Sequence, residues 1–341
     1  RLVKAFGDDT LEIMEKEPQR LTEVPGISPS KCEKIAEEVS RLFGVRMVML
    51  FLSRFGIDAA TSIAHIMGMS ERLIGLTIVA MGTSAPEAAV SISAALKGSA
   101  DITIGNIVGS NILNILIILG LASAIVPIAV AKSTIRVDIP FMLLITGVLL
   151  ALGWDQTITL SDGLIMLVMF AGYLGYMLHM AKKGGDEADA GKDLKLWQAL
   201  LYTILGLVLI VWGADMAVDA ATALARIFGL SERFIGLTVV ALGTSLPELF
   251  TSVTAARKGN ADIAIGNIVG SNIFNILFIL GSASALTSIN ASGLLIIDTV
   301  ILMGITLVMY VFGKTGNKTT RLEGALCVAM YVAYAAYITL R

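Results

Sequence analysis

The chain contains one long stretch of sequence twice. Residues 70–120 align without a gap to residues 231–281, at a constant offset of 161 positions, and 37 of the 51 aligned residues are identical. A repeat of this length sets the architecture, because each copy must fold into the same unit. The sequence therefore predicts two structurally equivalent halves.

Both halves are too apolar to form a soluble core. Hydrophobic residues make up 56% of the chain and charged residues only 15%, whereas about a quarter of a soluble domain is charged. A membrane span needs about 20 apolar residues, and runs of that length recur from residue 46 onward. The predicted fold is an all-α integral membrane protein of about ten transmembrane helices, with a short soluble helical segment at its N-terminus. The ten predicted spans are 46–66, 73–96, 101–125, 134–153, 161–181, 197–225, 234–256, 262–286, 292–313 and 322–340.

Polar stretches divide the chain into four predicted parts. These are a soluble segment at 1–45, a first five-helix repeat at 46–181, a linker at 182–195 and a second five-helix repeat at 196–341. Since five spans is an odd number, the second copy enters the membrane from the opposite side, as in transporters with inverted repeats. Such transporters bind substrate at the repeat interface, near the bilayer midplane.

Loop charges predict the orientation in the membrane. Twelve basic loop residues, Arg72 and Lys258 among them, fall on the side that carries the linker, against four on the other side. Because basic residues concentrate in cytoplasmic loops, we expect both termini outside the cell membrane and linker 182–195 in the cytoplasm.

The N-terminal segment differs in character from the rest of the chain. Seven basic and nine acidic residues fall within residues 1–45. LTEVPGISPSKCEKIAEE at 21–38 resembles the helix-hairpin-helix region of RecD-like DNA helicases, a resemblance that extends over about residues 1–57. Such a hairpin holds a phosphate on backbone N–H groups. Here Ser28 stands where the hairpin's second glycine is expected, and the segment is net acidic, which argues against nucleic acid as a partner.

Two origins of this segment stay open. It is either a solvated helical appendage or a piece fused or misjoined to a membrane protein, with the junction near Asp58. The match to the second repeat begins after Asp58, whereas the preceding LFLSRFGI, which contains Arg54, has no resemblance to its counterpart. The chain begins with Arg and shows no signal peptide, so a fragment of a longer protein is expected.

Two carboxylates are predicted to lie at membrane depth. GTSAPE at 82–87 and GTSLPE at 243–248 place Glu87 and Glu248 near the middle of apolar spans, with no basic residue within nine positions of Glu87. A carboxylate there costs free energy unless it faces a partner or a wet cavity, so it is a functional candidate.

The residues around these carboxylates supply further oxygen atoms. Pro86 has no N–H to donate to the carbonyl one turn earlier, and Gly82 is expected to let the backbone leave the helix. Thr83 and Ser84 add hydroxyl groups. An all-oxygen donor set is typical of hard cations such as Ca²⁺ and Na⁺.

A second motif follows each of these at the same spacing. GNIVGSNILN at 105–114 and GNIVGSNIFN at 266–275 both contain GxxxG, which predicts close helix packing. Within each motif a serine and an asparagine four positions apart share a helix face, and they are either cation ligands or polar contacts between helices. These pairs are Ser110 with Asn114, and Ser271 with Asn275.

The paired motifs resemble the two alpha-repeats of the calcium/cation antiporter superfamily, nearest to prokaryotic Na⁺/Ca²⁺ exchangers, over about residues 59–341. The resemblance implies that Glu87 and Glu248 are central carboxylates shared by Ca²⁺ and Na⁺. It also implies backbone carbonyl ligands for Ca²⁺ at Thr83 and Thr244. The Na⁺ sites it implies comprise Ser84, Ser110, Ser245 and Ser271 with the carbonyls of Ala80 and Ala241. Asn114 and Asn275 occupy a position where many members carry Asp in one copy.

The predicted function is secondary active antiport of Na⁺ and Ca²⁺ by alternating access, with no catalytic residue and no cofactor besides the transported ions. A Ca²⁺/H⁺ or K⁺-dependent cation exchanger is the alternative, and a membrane-tethered nucleic-acid-binding module is a distant one. No nucleophile–base pair or phosphate-binding loop indicates an enzyme. Cys32 and Cys327 form no metal or redox motif, and His65 and His179 lie outside the repeated motifs. One chain is sufficient for the site, and the oligomeric state stays open.

Overall fold

A computed structural model describes residues 5–7, 10–67, 69–182, 195–229, 241–290 and 294–340. The fold is helical, as the apolar runs predict, because only helices satisfy every backbone polar group within a single segment in a bilayer. The helices are α1 Thr10–Lys16, α2 Pro29–Met67, α3 Glu71–Thr83, α4 Ala85–Leu96, α5 Ala100–Ile125, α6 Thr134–Leu152, α7 Leu160–Lys182, α8 Leu196–Ile227, α9 Ala241–Thr244, α10 Leu246–Arg257, α11 Ala261–Leu286, α12 Leu294–Gly316 and α13 Arg321–Leu340. A 3₁₀ turn at Pro18–Glu23 lies between α1 and α2.

Most of the ten predicted spans correspond to observed helices. Seven helices in the described part of the chain are long and apolar enough to cross a membrane, or eight if α3 and α4 are counted as one bent span. The predicted span 46–66 lies inside α2. The predicted span 234–256 begins outside the described residues and continues as α9 and α10.

The composition change near residue 45 does not coincide with the end of a helix. The predicted soluble segment 1–45 and the predicted span 46–66 share one helix, since α2 runs for 39 residues from Pro29 to Met67. This stretch contains no proline after its first residue, so each backbone N–H remains able to continue the helix.

Two short antiparallel ladders join the halves of the repeat. Strand β1 (Ile128–Ala129) pairs with β4 (Lys318–Thr319), and β2 (Thr157–Ile158) pairs with β3 (Ile289–Asn290). Adding 161 to the residue numbers of β1 and β2 gives those of β3 and β4, so each ladder is the repeat-related copy of the other. This exchange of partners is what two symmetry-related halves of an inverted repeat are expected to make.

The chain divides into two compact units. One comprises residues 1–51 and 212–243, and the other comprises 52–211 and 244–341. In the smaller unit, Leu21 and Ile35 are fully buried in a small apolar core that also contacts Leu224 and Ile227 of α8. The larger unit contains the main core, built chiefly from α5 and α11, with further residues from α3, α6, α7 and α12.

The GxxxG motif of the second repeat packs as predicted. A Cβ atom added to Gly270 would lie 2.6 Å from the Leu76 carbonyl oxygen and 2.7 Å from the Ala80 Cβ, and one at Gly266 would lie 2.9 Å from the Arg72 carbonyl oxygen. Helices α11 and α3 therefore touch through their backbones. Around Gly105 and Gly109, no atom of the described residues lies within 4 Å of such a Cβ, and the repeat-related neighbours at 230–240 are outside the described part.

We expect Gly270→Ala to lower the melting temperature of the purified protein, because the new methyl group would collide with backbone atoms that cannot rotate away. Overpacking of this kind costs about 1–3 kcal/mol. The matched control is Gly304→Ala in α12, where nothing lies within 4 Å of the added Cβ. Equal melting temperatures for the two variants would contradict the close packing of α3 and α11.

Candidate cation site

Each repeat contains a helix break beside its glutamate. Helices α3 and α4 meet at an angle of 49°, and Ser84 between them has φ −83° and ψ 11°. Ser245, between α9 and α10, has φ −92° and ψ 7°. Pro86 is the second residue of α4, where its missing N–H would have no partner inside that helix. The predicted interruption of the helix is confirmed.

The expected role of Gly82 is wrong. Gly82 lies inside α3 and remains helical, and the chain leaves the helix only at Ser84. A side chain at Gly82 would overlap the Leu207 side chain of α8. The glycine leaves room for the Leu207 side chain beside the break and does not serve a departure from helical geometry.

The two breaks exchange hydrogen bonds with each other's carboxylates. The Ser84 hydroxyl donates to Glu248 Oε1 at 2.9 Å, and the Ser245 hydroxyl donates to Glu87 Oε1 at 2.9 Å. The Thr83 hydroxyl also bonds across the repeats, to Asn267 Oδ1 at 3.0 Å. Both glutamates are only 1% exposed. Each carboxylate is thus held by the opposite repeat.

Among the buried side-chain atoms that lack a hydrogen-bond partner in the described part of the chain, four are oxygens of the predicted site residues. They are Glu87 Oε2, Glu248 Oε2, Asn114 Oδ1 and Asn275 Oδ1. The helices that contain them pack together, since α4 contacts the segment 275–280 of α11 and α10 contacts the segment 114–119 of α5. Buried polar atoms are nearly always paired, and these four occupy repeat-related positions, which makes them candidate ligands for a bound ion.

The electrostatics of the site favour a cation. Neither glutamate has an ion-pair partner among the described residues, and the two carboxylates are close enough to repel each other. Two unpaired carboxylate oxygens and two unpaired amide oxygens form a donor set without nitrogen or sulfur. Hard cations such as Ca²⁺ prefer these ligands.

Four further asparagines, absent from the predicted set, also belong to the site. Asn106 donates to the Glu87 carbonyl oxygen at 3.2 Å, and Asn267 donates to the Glu248 carbonyl oxygen at 3.5 Å. Asn111 and Asn272 bond to one another's backbone across the repeats. All four are identical between the copies of GNIVGSN. That identity was the signal that could have identified them from the sequence.

Comparison with known proteins was decisive for the family. The family model described as sodium/calcium exchanger protein matches residues 41–179 and 198–340. The chain belongs to this sodium/calcium exchanger family. It is 37% identical over 309 residues to the putative antiporter CaxA of Alkalimonas amylolytica, with 86% of this chain and 95% of the relative covered. It is 30% identical over 330 residues to the sodium/calcium exchanger MaX1 of Methanosarcina acetivorans, with 83% and 93% covered.

Solved structures agree with this family assignment. The chain superimposes on the sodium-calcium exchanger NCX_Mj, in crystals soaked with 2.5 mM Na⁺ and 10 mM Sr²⁺, with a TM-score of 0.77 and 31% identity. The match covers 88% of this chain and 98% of that one. Membership of the exchanger family makes the chain a multi-pass membrane cation antiporter, not an enzyme, whose ions are transported substrates instead of cofactors.

The match to the sodium/calcium exchanger family begins at residue 41. It therefore overlaps the stretch at about 1–57 that resembles RecD-like helicases. The helicase resemblance has no support in these comparisons.

A junction near Asp58 stays a prediction. Asp58 itself lies on α2 and forms an ion pair with Lys258, next to which Asn260 donates to Thr61 at 2.9 Å. Arg54 lies on α2, in a part where the side chains are not described.

Most predicted site residues of the exchanger-family motifs are buried. Hydrogen bonds between the repeats join members of the set. Ser84 bonds to Glu248, Ser245 bonds to Glu87, and the Ser271 hydroxyl donates to the Ala80 carbonyl oxygen at 3.5 Å. The buried members are Ala80, Thr83, Ser84, Glu87, Ser110, Asn114, Ser245, Glu248, Ser271 and Asn275.

The remaining two members of the predicted set, Ala241 and Thr244, belong to the short helix α9. The two histidines and two cysteines considered in the sequence lie outside the set. His65 and His179 are exposed, and Cys32 and Cys327 are buried free thiols.

Two of the basic residues assigned to loops are not free charges. Arg72 is buried in an ion pair with Asp138, whose Oδ2 lies 2.6 Å from Nη1. Lys258 pairs with Asp58. The loop-charge argument for orientation therefore depends on the remaining basic residues.

Proposed function

We propose that this chain exchanges Na⁺ for Ca²⁺ across a membrane, with both ions bound in turn at one site built on Glu87 and Glu248. The observation that carries the proposal is the set of four unpaired, buried oxygens contributed symmetrically by the two repeats. The chain's likeness to MaX1 and NCX_Mj, both sodium/calcium exchangers by name, supports the choice of ions.

Charge explains why one site serves both ions. One Ca²⁺ neutralises the two carboxylates, and Na⁺ ions on the same ligands achieve a similar balance, so the ions compete. An empty site carries two buried negative charges and is costly at the bilayer midplane. Only the loaded site then passes between the two sides of the membrane, which couples the two ions in alternating access.

The remaining ligands follow from the repeat. We assign the backbone carbonyls of Thr83 and Thr244 to Ca²⁺. Na⁺ is bound in addition by hydroxyls and carbonyls of the two breaks and of the helices packed on them, and the amide oxygens of Asn114 and Asn275 complete the site. These Na⁺ ligands are Ser84, Ser110, Ser245, Ser271, Ala80 and Ala241.

The arrangement in the membrane is also part of the proposal. Residues 46–181 and 196–341 are the two inverted repeats, both termini are outside the cell membrane, and linker 182–195 is cytoplasmic. Because both halves of the site come from one chain, a monomer is sufficient for binding.

A cysteine introduced at Lys192 should react with an impermeant maleimide in inverted vesicles and stay unlabelled in intact cells.

Flux measurements test the exchange itself. Purified protein in liposomes loaded with Na⁺ should take up ⁴⁵Ca²⁺ on dilution into Na⁺-free buffer and should take up none without the Na⁺ gradient. Uptake driven by a pH gradient alone would favour Ca²⁺/H⁺ exchange, and uptake that also requires K⁺ would favour a K⁺-dependent exchanger. DNA retention that disappears on deletion of residues 1–45 would instead favour the nucleic-acid module.

A further inference from the structure

We propose that Asn111 and Asn272 are positioning residues that fix which end of the Asn114 and Asn275 amides faces the cation. This inference deepens the proposed function and depends on it. An asparagine side chain has an oxygen that binds a cation and an NH₂ group that repels one. A site containing two asparagines therefore needs something to set the direction of each amide.

The hydrogen bonds show how the direction is set. Asn114 Nδ2 donates to Asn272 Oδ1 at 2.9 Å, and Asn275 Nδ2 donates to Asn111 Oδ1 at 3.0 Å. With each NH₂ group held in this way, the oxygen of each amide is left buried and unpaired. Rotating either amide by a half turn would place two oxygens against each other and point the NH₂ group into the site.

The two positioning residues are themselves held by each other. Asn111 Nδ2 donates to the Asn272 carbonyl oxygen at 3.2 Å, and Asn272 Nδ2 donates to the Asn111 carbonyl oxygen at 3.4 Å. Both side chains are buried, and each Oδ1 accepts a hydrogen bond from a ligand amide. The four asparagines thus form a closed network between α5 and α11, with a defined direction at every bond.

The network matters because this chain has asparagine at both ligand positions. A carboxylate presents oxygen whichever way it turns, so an aspartate at either ligand position would need no such orientation. Two amides do need it, and the sequence provides an asparagine three residues before each of them. Groups that orient metal ligands typically change metal affinity by about 10–100-fold when removed.

A double-mutant cycle tests the proposal. Asn111→Leu keeps the approximate volume of the side chain but removes the acceptor for Asn275 Nδ2, and we expect it to weaken equilibrium ⁴⁵Ca²⁺ binding to the purified protein at least about tenfold. In an Asn275→Asp background, the same Asn111→Leu change should leave the Kd for Ca²⁺ nearly unchanged. Both terminal atoms of a carboxylate are oxygens, so its orientation does not need to be fixed.

Every outcome of this experiment is informative. An unchanged Kd for Asn111→Leu, or an equal loss with and without the Asn275→Asp change, would overturn the inference, since a purely structural role gives the same loss in both backgrounds. Should Asn111→Leu fail to fold, the mirrored cycle of Asn272→Leu with Asn114→Asp decides in the same way. Thr146→Val is the control, because it removes a buried hydroxyl group outside the network, and this variant should bind Ca²⁺ like the wild type. Wild-type protein that binds neither Ca²⁺ nor Na⁺ would overturn the proposed function as well.

Discussion

Replacing Glu87 with glutamine is expected to abolish Na⁺-driven ⁴⁵Ca²⁺ uptake into proteoliposomes. Glutamine preserves the shape of the side chain and still offers an oxygen to the Ser245 hydroxyl, now 2.9 Å from Glu87 Oε1. It removes one of the two charges that balance Ca²⁺. The bound ion would then carry a net positive charge at the midplane, which costs about 2.5–3.5 kcal/mol and corresponds to about a hundredfold loss of affinity.

Symmetry extends this prediction to Glu248. Its carboxylate accepts from Ser84 as that of Glu87 accepts from Ser245, so Glu248→Gln should cause a comparable loss. Asp155→Asn is the matched control, because it removes one carboxylate from an exposed loop and retains the acceptor for the Thr157 N–H. Uptake by Glu87→Gln at the control rate would exclude this carboxylate from the site.

Replacing Arg72 with leucine is expected to destabilise the protein by about 3–5 kcal/mol, since it leaves an uncompensated carboxylate on Asp138 in the interior. The Arg72 side chain is 5% exposed and that of Asp138 is fully buried. The free energy lost is therefore dominated by the stranded charge and not by the missing attraction. Thermal unfolding in detergent should show a large fall in the melting temperature.

The double variant Arg72→Leu with Asp138→Leu should recover most of that loss, because apolar replacements of a buried ion pair are often neutral. Arg20→Leu serves as the control, since the Arg20–Glu17 ion pair is exposed and its loss should leave the melting temperature unchanged. A double variant as unstable as Arg72→Leu would show that Asp138 is not left with an unbalanced charge, and would contradict this account of the pair.

The architecture was largely predictable from the sequence. Long apolar runs and the gapless repeat predict the helices from residue 73 to 225 and from 262 to 340 to within a few residues, and Pro86 predicts the break at Ser84. These features are local, since hydrophobic run length and a missing backbone N–H act on the helix that contains them. Local rules do not determine where a helix ends in the absence of a proline stop signal, and α2 continues across the composition change at residue 45.

Pairings between distant residues could not be predicted in the same way. The sequence alone predicts Arg72 to be a loop charge, because its partner Asp138 lies 66 positions away. The side-chain partners of Asn111 and Asn272 lie 164 and 158 positions away, so the bonds that orient them have no local signal in the sequence. The type of a residue determines which of its groups can donate or accept a hydrogen bond. Which of them does so depends on the group that the folded chain places next to it.

The sequence by itself therefore determined the inverted pair of membrane repeats, the two helix breaks and the presence of a buried glutamate at each. Only the tertiary structure decided that each carboxylate is held by the serine of the other repeat, and that the oxygens of Asn114 and Asn275 stay unpaired while their NH₂ groups are bonded. The physical reason is that a cation site consists of the oxygens left over when all other hydrogen bonds have been made. That remainder exists only once the two halves of the chain have packed together.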